Sequence, residues 1–234
     1  MKKGDFLPIV LGSDENAYGT MRLFREAFGV TPLPLCAAQL SSTRHSKFFH
    51  PEIIPNLEAD EVFPEALLRV LKRESEHYEK LLVIPCSDYY TELLCRYYDR
   101  FEGLIANRFI SRDLLERFST KDRFYALCEE YGLDYPKTVI ADVSERESVV
   151  DTMPFDFPIV VKPENSNALA YLQCHFEGQE KVYFFDTREE YLTMVRNMNT
   201  SGYEGKLILQ EFIPGGDDAM RVMNCYSDRS GKFG

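Results

Sequence analysis

Residues Leu81-Leu82-Val83-Ile84-Pro85 form an unbroken apolar run between the charged pair Glu79-Lys80 and the polar Ser87-Asp88. A run that short and that apolar reads as a strand buried on both faces, and such strands belong to parallel sheets covered by helices. Leu7 to Leu11 repeats the signature, with Gly12 and Ser13 as the turn after it. Asn16 is then the expected N-cap of a helix through Phe28, stopped at Gly29. Val30 to Leu35 is a second strand, weakened by Pro32 and Pro34. Pro64 opens a helix to about Tyr78 with Leu67, Leu68 and Leu71 on one face, and Ser87 or Asp88 caps another to about Phe101. The alternation predicts an α/β front end with a parallel sheet and crossover helices. Ligands of such sheets lie beyond the carboxyl ends of the strands, which makes Gly12, Ser13, Cys86 and Ser87 candidate substrate contacts.

From Ser111 the pattern changes. A helix over 112–118 meets a second one entered at Ser119-Thr120-Lys121-Asp122, where Ser119 and Asp122 have capping-box spacing, and closed by Gly132. Strands are expected at 138–141, 157–163, 171–176, 182–185 and 207–213. Ser144 with Glu147, and Thr187 with Glu190, mark the starts of two helices. Residues 219–226 read as one more strand and Asp228-Arg229-Ser230-Gly231 as a hairpin turn, with the returning strand missing. A domain rarely ends just past a hairpin turn, so the expectation is a truncated chain.

Charge and cysteine usage remove several function classes. A net charge of -11 disfavours a broad nucleic-acid or anionic-membrane footprint, though two or three cations suffice for a small phosphate ligand. The six cysteines form no C-x-x-C pair and no His stands at metal-ligand spacing, which reads as reduced thiols in a cytoplasmic protein. Met1-Lys2-Lys3 and the apolar stretch after it are too short for a signal peptide, and no run approaches membrane-spanning length.

Three features bear on chemistry. Lys121 stands at the mouth of a helix, where free N–H groups and the dipole favour an anion. Lys162 ends an apolar strand before Pro163, so the sheet aims its ammonium at one place, and a Lys there needs a partner or an opening to water. Two converging cations would suit a polyphosphate. By spacing alone Lys121 is a solvated lysine and Lys162 stands evenly between that and a ligand contact. Gln210-Glu211-Phe212-Ile213-Pro214-Gly215-Gly216-Asp217-Asp218 is an apolar strand leaving the sheet into a turn and two acids. Extended backbone there can meet an adenine edge and an acid can accept from ribose, although an ordinary strand–turn has the same composition.

Phe118-Ser119-Thr120-Lys121-Asp122-Arg123-Phe124, with Tyr131-Gly132-Leu133 and Pro136-Lys137-Thr138, resembles the entry helix of ATP-grasp enzymes. Phe157 to Pro163 is similar to their phosphate-binding Lys strand, and Leu209 to Gly215 to their inter-lobe adenine strand, in the right order and spacing. The best likeness is to carboxylate–amine ligases of the D-aspartate-ligase type, through Lys162-Pro163-Glu164-Asn165-Ser166-Asn167 and Phe176 to Tyr183. The resemblance implies a Rossmann-like pre-ATP-grasp domain over 1–111, an ATP-grasp N-terminal lobe over 112–205, and the start of an incomplete α+β C-terminal lobe over 206–234. It implies ATP held by Lys121, Lys162, Gln210, Glu211, Phe212, Ile213 and Asp218 (or else Asp217), a small carboxylate and an amine as substrates, and a homodimer. It also implies Mg²⁺, whose acidic ligands would lie beyond residue 234, so no metal ligand is assigned within the chain and the chain alone is expected to be inactive. Two departures stand out: Asn165-Ser166-Asn167-Ala168 lacks the glycines of a phosphate loop, and Asp217, Asp218 and Asp228 do not match the metal positions. A carbamoyl-phosphate-synthetase-like or biotin-carboxylase-like enzyme, or a non-catalytic nucleotide-binding module, are the alternatives. Arg221 is expected to pair with Asp217 or Asp218.

Overall fold

A computed structural model describes residues 4–119, 121–164, 171, 173–223, 225, 227, 230 and 232, without the side chains of residues 119, 121 and 122. The chain divides into two units, residues 1–120 and 121–234.

Unit 1 is the parallel α/β layer that the apolar runs require. Strands β1 (Gly4–Leu11), β2 (Leu33–Cys36), β3 (Glu52–Ile53) and β4 (Tyr78–Pro85) stand in the order β3-β2-β1-β4, each pair parallel. Helices α1 (Glu15–Phe28), α2 (Phe63–Ser75), α3 (Asp88–Arg96) and α4 (Arg112–Ser119) complete the unit. The N-cap of α1 is Asp14, not Asn16: its carboxylate accepts from the Ala17 N–H at 2.9 Å, and a charged acceptor two residues earlier claims that end of the helix. Gly29 closes α1 in the left-handed region, φ 66°. Helix α2 stops at Ser75 because Tyr78 already belongs to β4, and α3 stops at Arg96 before a 3₁₀ turn, Tyr98–Arg100. Leu7, Ile9, Leu11, Leu35, Leu67, Val70, Leu71, Leu81, Val83, Phe63 and Phe101 form one buried hydrocarbon core. On the outer side of β4, the Asn107 side chain accepts from the Val83 N–H at 3.0 Å and donates to the Val83 carbonyl at 2.7 Å. The Ala106 N–H meets the Leu81 carbonyl at 2.7 Å.

Unit 2 is an antiparallel sheet with helices. Helix α5 (Lys121–Tyr131) leads to β5 (Thr138–Ala141), β6 (Ile159–Pro163), β7 (Tyr183–Phe185), α6 (Arg188–Thr200) and β8 (Leu207–Glu211), the strands standing in the order β5-β8-β6-β7. Thr187 and Glu190 form the expected capping box at α6. The other box is Asp142 with Glu145, two residues before the expected Ser144 and Glu147, because Asp142 is the first residue past the end of β5 that carries an acceptor. The described residues of 171–176 are not a strand. Tyr171 is helical and the Cys174 N–H turns back to its carbonyl, while the Tyr171 hydroxyl lies 2.6 Å from that of Tyr183 inside the core. Residues 219–223 are not a strand either. The chain enters a 3₁₀ turn, Asp217–Ala219, through Gly215 at φ 142°, where a Cβ would come within 2.8 Å of the Ala219 Cβ. Most of the expected hairpin at 228–231 lies outside the described residues.

A fully buried arginine organises this unit. Arg146 is 0 % exposed. Its guanidinium donates to Asn199 Oδ1 at 2.8 Å, to the Tyr203 carbonyl at 2.9 Å and to the Gly205 carbonyl, and it lies over the Tyr203 ring. The Tyr191 hydroxyl donates to the Arg146 carbonyl at 2.6 Å. Burial works against the charge on Arg146, and no carboxylate is among these partners; three oxygen acceptors and an aromatic face hold it instead.

Candidate functional site

The two faces of the unit 2 sheet have different chemistry because side chains alternate along each strand. Ile159, Val161, Leu207, Leu209, Tyr183, Phe185 and Ala141 enter the core with α6. The opposite face carries two cross-strand rows. One row runs Thr138, Gln210, Val160, Phe184 and the other Ile140, Ile208, Lys162. Helix α5 reaches the β5–β8 side of this face through Tyr125, and Gln210 is buried there. The β6–β7 side is open: Lys162 and Val160 are half-buried and Phe184 is exposed.

Lys162 Nζ donates to Gln210 Oε1 at 3.0 Å. Gln210 Nε2 donates in turn to the Tyr125 hydroxyl at 2.6 Å and to Thr138 Oγ1 at 3.0 Å. Tyr125 stacks on Tyr135 with ring centroids 5.2 Å apart, and the Tyr135 hydroxyl donates to Glu129 at 2.6 Å. A strand-borne ammonium is thus held at one point of an open sheet face by a neutral acceptor, which is an arrangement fit to receive an anion.

Beyond Gln210, the Glu211 carboxylate accepts from the Lys137 N–H at 2.8 Å while its own N–H donates to the Lys137 carbonyl at 3.0 Å, closing β8 onto the start of β5. One oxygen of its side chain is therefore engaged within the fold. Phe212 meets Phe184 edge-to-face, centroids 6.3 Å apart, beside the exposed Ile213. Asp217 and Asp218 stand on the surface in the 3₁₀ turn. Arg221 does not pair with their carboxylates; its guanidinium donates to the carbonyls of Asp218 at 2.6 Å and Met220 at 2.8 Å, because the tight turn presents backbone oxygens first. The backbone of Lys121 begins α5, but its side chain lies outside the described residues, as does the segment 165–168 expected over the phosphates. Among the described residues no group of three His, Cys, Asp or Glu could hold a metal ion.

Unit 1 has its own cavity of about 310 Å³ at the carboxyl ends of β1, β2 and β4, and Gly12, Ser13, Cys86 and Ser87 all line it. Gly12 has φ 131°, and a Cβ there would meet the Cys86 Cβ at 3.3 Å. The Ser13 hydroxyl has its proton committed to the fold: it donates to the Ala38 carbonyl at 2.8 Å and accepts from the Leu40 N–H at 3.2 Å. Ser87 Oγ accepts from the Tyr90 N–H at 3.3 Å as the α3 cap. Sequence reasoning missed Glu58 and Tyr90 on the wall, where the Tyr90 hydroxyl donates to Glu58 Oε1 at 3.3 Å. Burial, helped by the Glu58 charge, pushes the Tyr90 phenol up, and burial pushes the Cys36 and Cys86 thiols up, so neither thiol is an activated nucleophile.

No family model matches the chain. A curated D-aspartate ligase of Enterococcus faecium (strain Aus0004) is 40% identical over 227 residues, covering 96% of this chain and 53% of that protein. The chain therefore spans about half the length of the curated relative it matches. Among solved structures, an L-amino acid ligase from Bacillus licheniformis matches with TM-score 0.55 and 15% identity, over 92% of this chain and 46% of that one. The N5-carboxyaminoimidazole ribonucleotide synthetase from Thermus thermophilus matches with TM-score 0.55 and 15% identity, over 97% of this chain and 52% of that one.

Proposed function

Given a chain with an ATP-grasp fold and a sequence similar to that of a D-aspartate ligase, we propose that this protein binds ATP on the open face of the unit 2 sheet and supplies that half of an ATP-dependent carboxylate–amine ligase. The single observation that carries this reading is Lys162, a strand-borne ammonium presented on an open face and tethered by Gln210 at 3.0 Å. Its charge suits the β- and α-phosphates, with Lys121 as the second cation from the start of α5. The backbone from Glu211 to Ile213 would meet the adenine edge, Phe184 and Phe212 its flat side, and Asp218 or Asp217 the ribose hydroxyls.

The reaction would be transfer of the γ-phosphoryl group to a carboxylate oxygen, giving an acyl phosphate, followed by attack of an amine nitrogen and loss of phosphate. Positioning and charge neutralisation supply most of the catalysis in such transfers, which is what a fixed cation contributes. The relative's name supports D-aspartate as the carboxylate substrate. Mg²⁺ would be held by acids outside the present sequence, and the 234-residue chain alone is expected to show no turnover.

Ligand binding tests the reading directly. ATP or ADP at a hundred times its dissociation constant should stabilise the chain by about 2.7 kcal/mol in a thermal-shift measurement. The shift should shrink in Lys162→Ala. An undiminished shift in that variant removes Lys162 from the site and with it the reading.

A further inference from the structure

Gln210 belongs to the segment expected to touch adenine, yet its side chain is 3 % exposed and turned beneath Tyr125. The orientation of its amide follows from a neighbour. Thr138 Oγ1 donates its only proton to the Pro136 carbonyl at 2.7 Å. A hydroxyl that has given its proton can only accept, so the end of Gln210 that faces it at 3.0 Å is the NH₂ end. The same nitrogen donates to the Tyr125 oxygen. The carbonyl end, Oε1, is therefore left facing Lys162 Nζ at 3.0 Å, and a flipped amide would set two N–H groups against an ammonium. Donation runs one way along the row, from Lys162 to Gln210 to Thr138 to the backbone at Pro136.

We propose that Gln210 is a positioning residue that holds the Lys162 ammonium through a neutral acceptor, fixing its direction while leaving its charge for a polyphosphate. The inference rests on the reading that Lys162 faces nucleotide phosphates. A carboxylate at position 210 would also accept from the ammonium, but it would have no N–H for Tyr125 and Thr138 and would cancel the charge that the anionic ligand must meet. An apolar residue would leave the charge and lose the direction. The amide does both, and its register explains how: Gln210 stands opposite Val160 and Lys162 opposite Ile208, so the two side chains meet on the diagonal of one face.

The test uses the full chain with Gln210→Glu and Gln210→Met, and Lys162→Arg to assign the signal. In cold, mildly acidic buffer the Lys162 ammonium should give a resolved ¹H–¹⁵N peak in the parent and in Gln210→Glu. It should exchange away in Gln210→Met, whose backbone spectrum must still match the parent. ADP affinity should fall about ten-fold in Gln210→Glu, the size of one charge-assisted contact cancelled, with adenosine affinity unchanged. A merely structural role would lower both ligands together. An ammonium peak that persists in Gln210→Met, or one that the parent never shows, overturns the tether. ADP binding at parental strength in Gln210→Glu overturns the need for a neutral acceptor. If ADP fails to bind the parent chain, the nucleotide reading falls by itself, and the ammonium peak alone then upholds or overturns the tether.

Discussion

The two units keep their polar chemistry in opposite places. Unit 1 has a mainly hydrocarbon interior in which the small hydroxyls of Ser13 and Thr43 are the buried polar side chains among the described residues, with its charged pairs Arg73–Glu52, Arg96–Asp60 and Arg100–Glu65 on the rim. Unit 2 takes a guanidinium, three tyrosine hydroxyls and a glutamine amide inside. Apolar burial is non-directional and tolerates rearrangement, whereas each buried polar group needs its partner at one distance and angle. The first unit is thus specified by where its hydrocarbon lies. The second is specified by particular pairs, and the face that presents Lys162 inherits its geometry from them.

The largest expected effect breaks the hydrocarbon side of the comparison. Phe63 is fully buried between Tyr90 and Phe101. Phe63→Ala should cost about 4 kcal/mol in chemical denaturation, with hydrogen-exchange protection falling first in unit 1. A loss near zero would mean that the core can collapse around the gap. Arg146→Met tests the polar side by matching chain length while orphaning the Asn199 oxygen and the carbonyls of Tyr203 and Gly205. The expected loss is ~3 kcal/mol, roughly one for each abandoned acceptor, read as lost protection in α6 and β8. If Met proves neutral, unit 2 needs the apolar stem and not the hydrogen bonds.

Alkaline pH should give the smallest and most graded separation. Burial raises the phenols of Tyr171, Tyr191 and Tyr203, and the Tyr183 hydroxyl adds to the shift at Tyr171. A raised folded value means that the folded state prefers the neutral phenol. The stabilisation is complete below the ordinary phenol value of about 10 and is lost as pH rises above it. Unit 1 has Tyr89, Tyr90 and the thiols of Cys36, Cys86 and Cys95 raised mainly by burial, so it begins to yield lower, from the ordinary thiol value of about 8.5, and over a broader range. Hydrogen exchange followed by peptide between about pH 8 and 11 would check the order, from just below thiol ionisation to about one unit above phenol ionisation; equal slopes would erase the contrast.

The same contrast explains what the sequence made legible. The apolar runs at 7–11, 81–85 and 207–209 each fall within a strand, β1, β4 and β8, although β8 ends at Glu211 and not at residue 213. The parallel sheet followed from alternation, and Gly29, Gly132 and the Thr187–Glu190 box fixed helix ends because each acts through backbone geometry of its own neighbourhood. Arg146 was invisible: it lies in Ser-Glu-Arg-Glu-Ser, which has the composition of a solvated turn, and its partners are more than fifty residues away. Tyr171 misled because an aromatic stretch reads as a strand when its hydroxyl contacts are unknown. At the candidate site the place of Lys162 on its strand was legible, and Gln210 was named, but not the hydrogen bonds that hold it. Its engagement with Tyr125 and Thr138 arises from folding 85 and 72 residues together, and no local spacing encodes that.

The amide of Asn107 has a consequence for life in a crowded solution. An outermost strand ordinarily displays a row of unmet donors and acceptors that any extended chain can join, the first step toward runaway stacking. By occupying both main-chain groups of Val83, with Ala106 on Leu81, a short loop withdraws that invitation from the centre of β4. An apolar strand is thereby kept from recruiting its own kind.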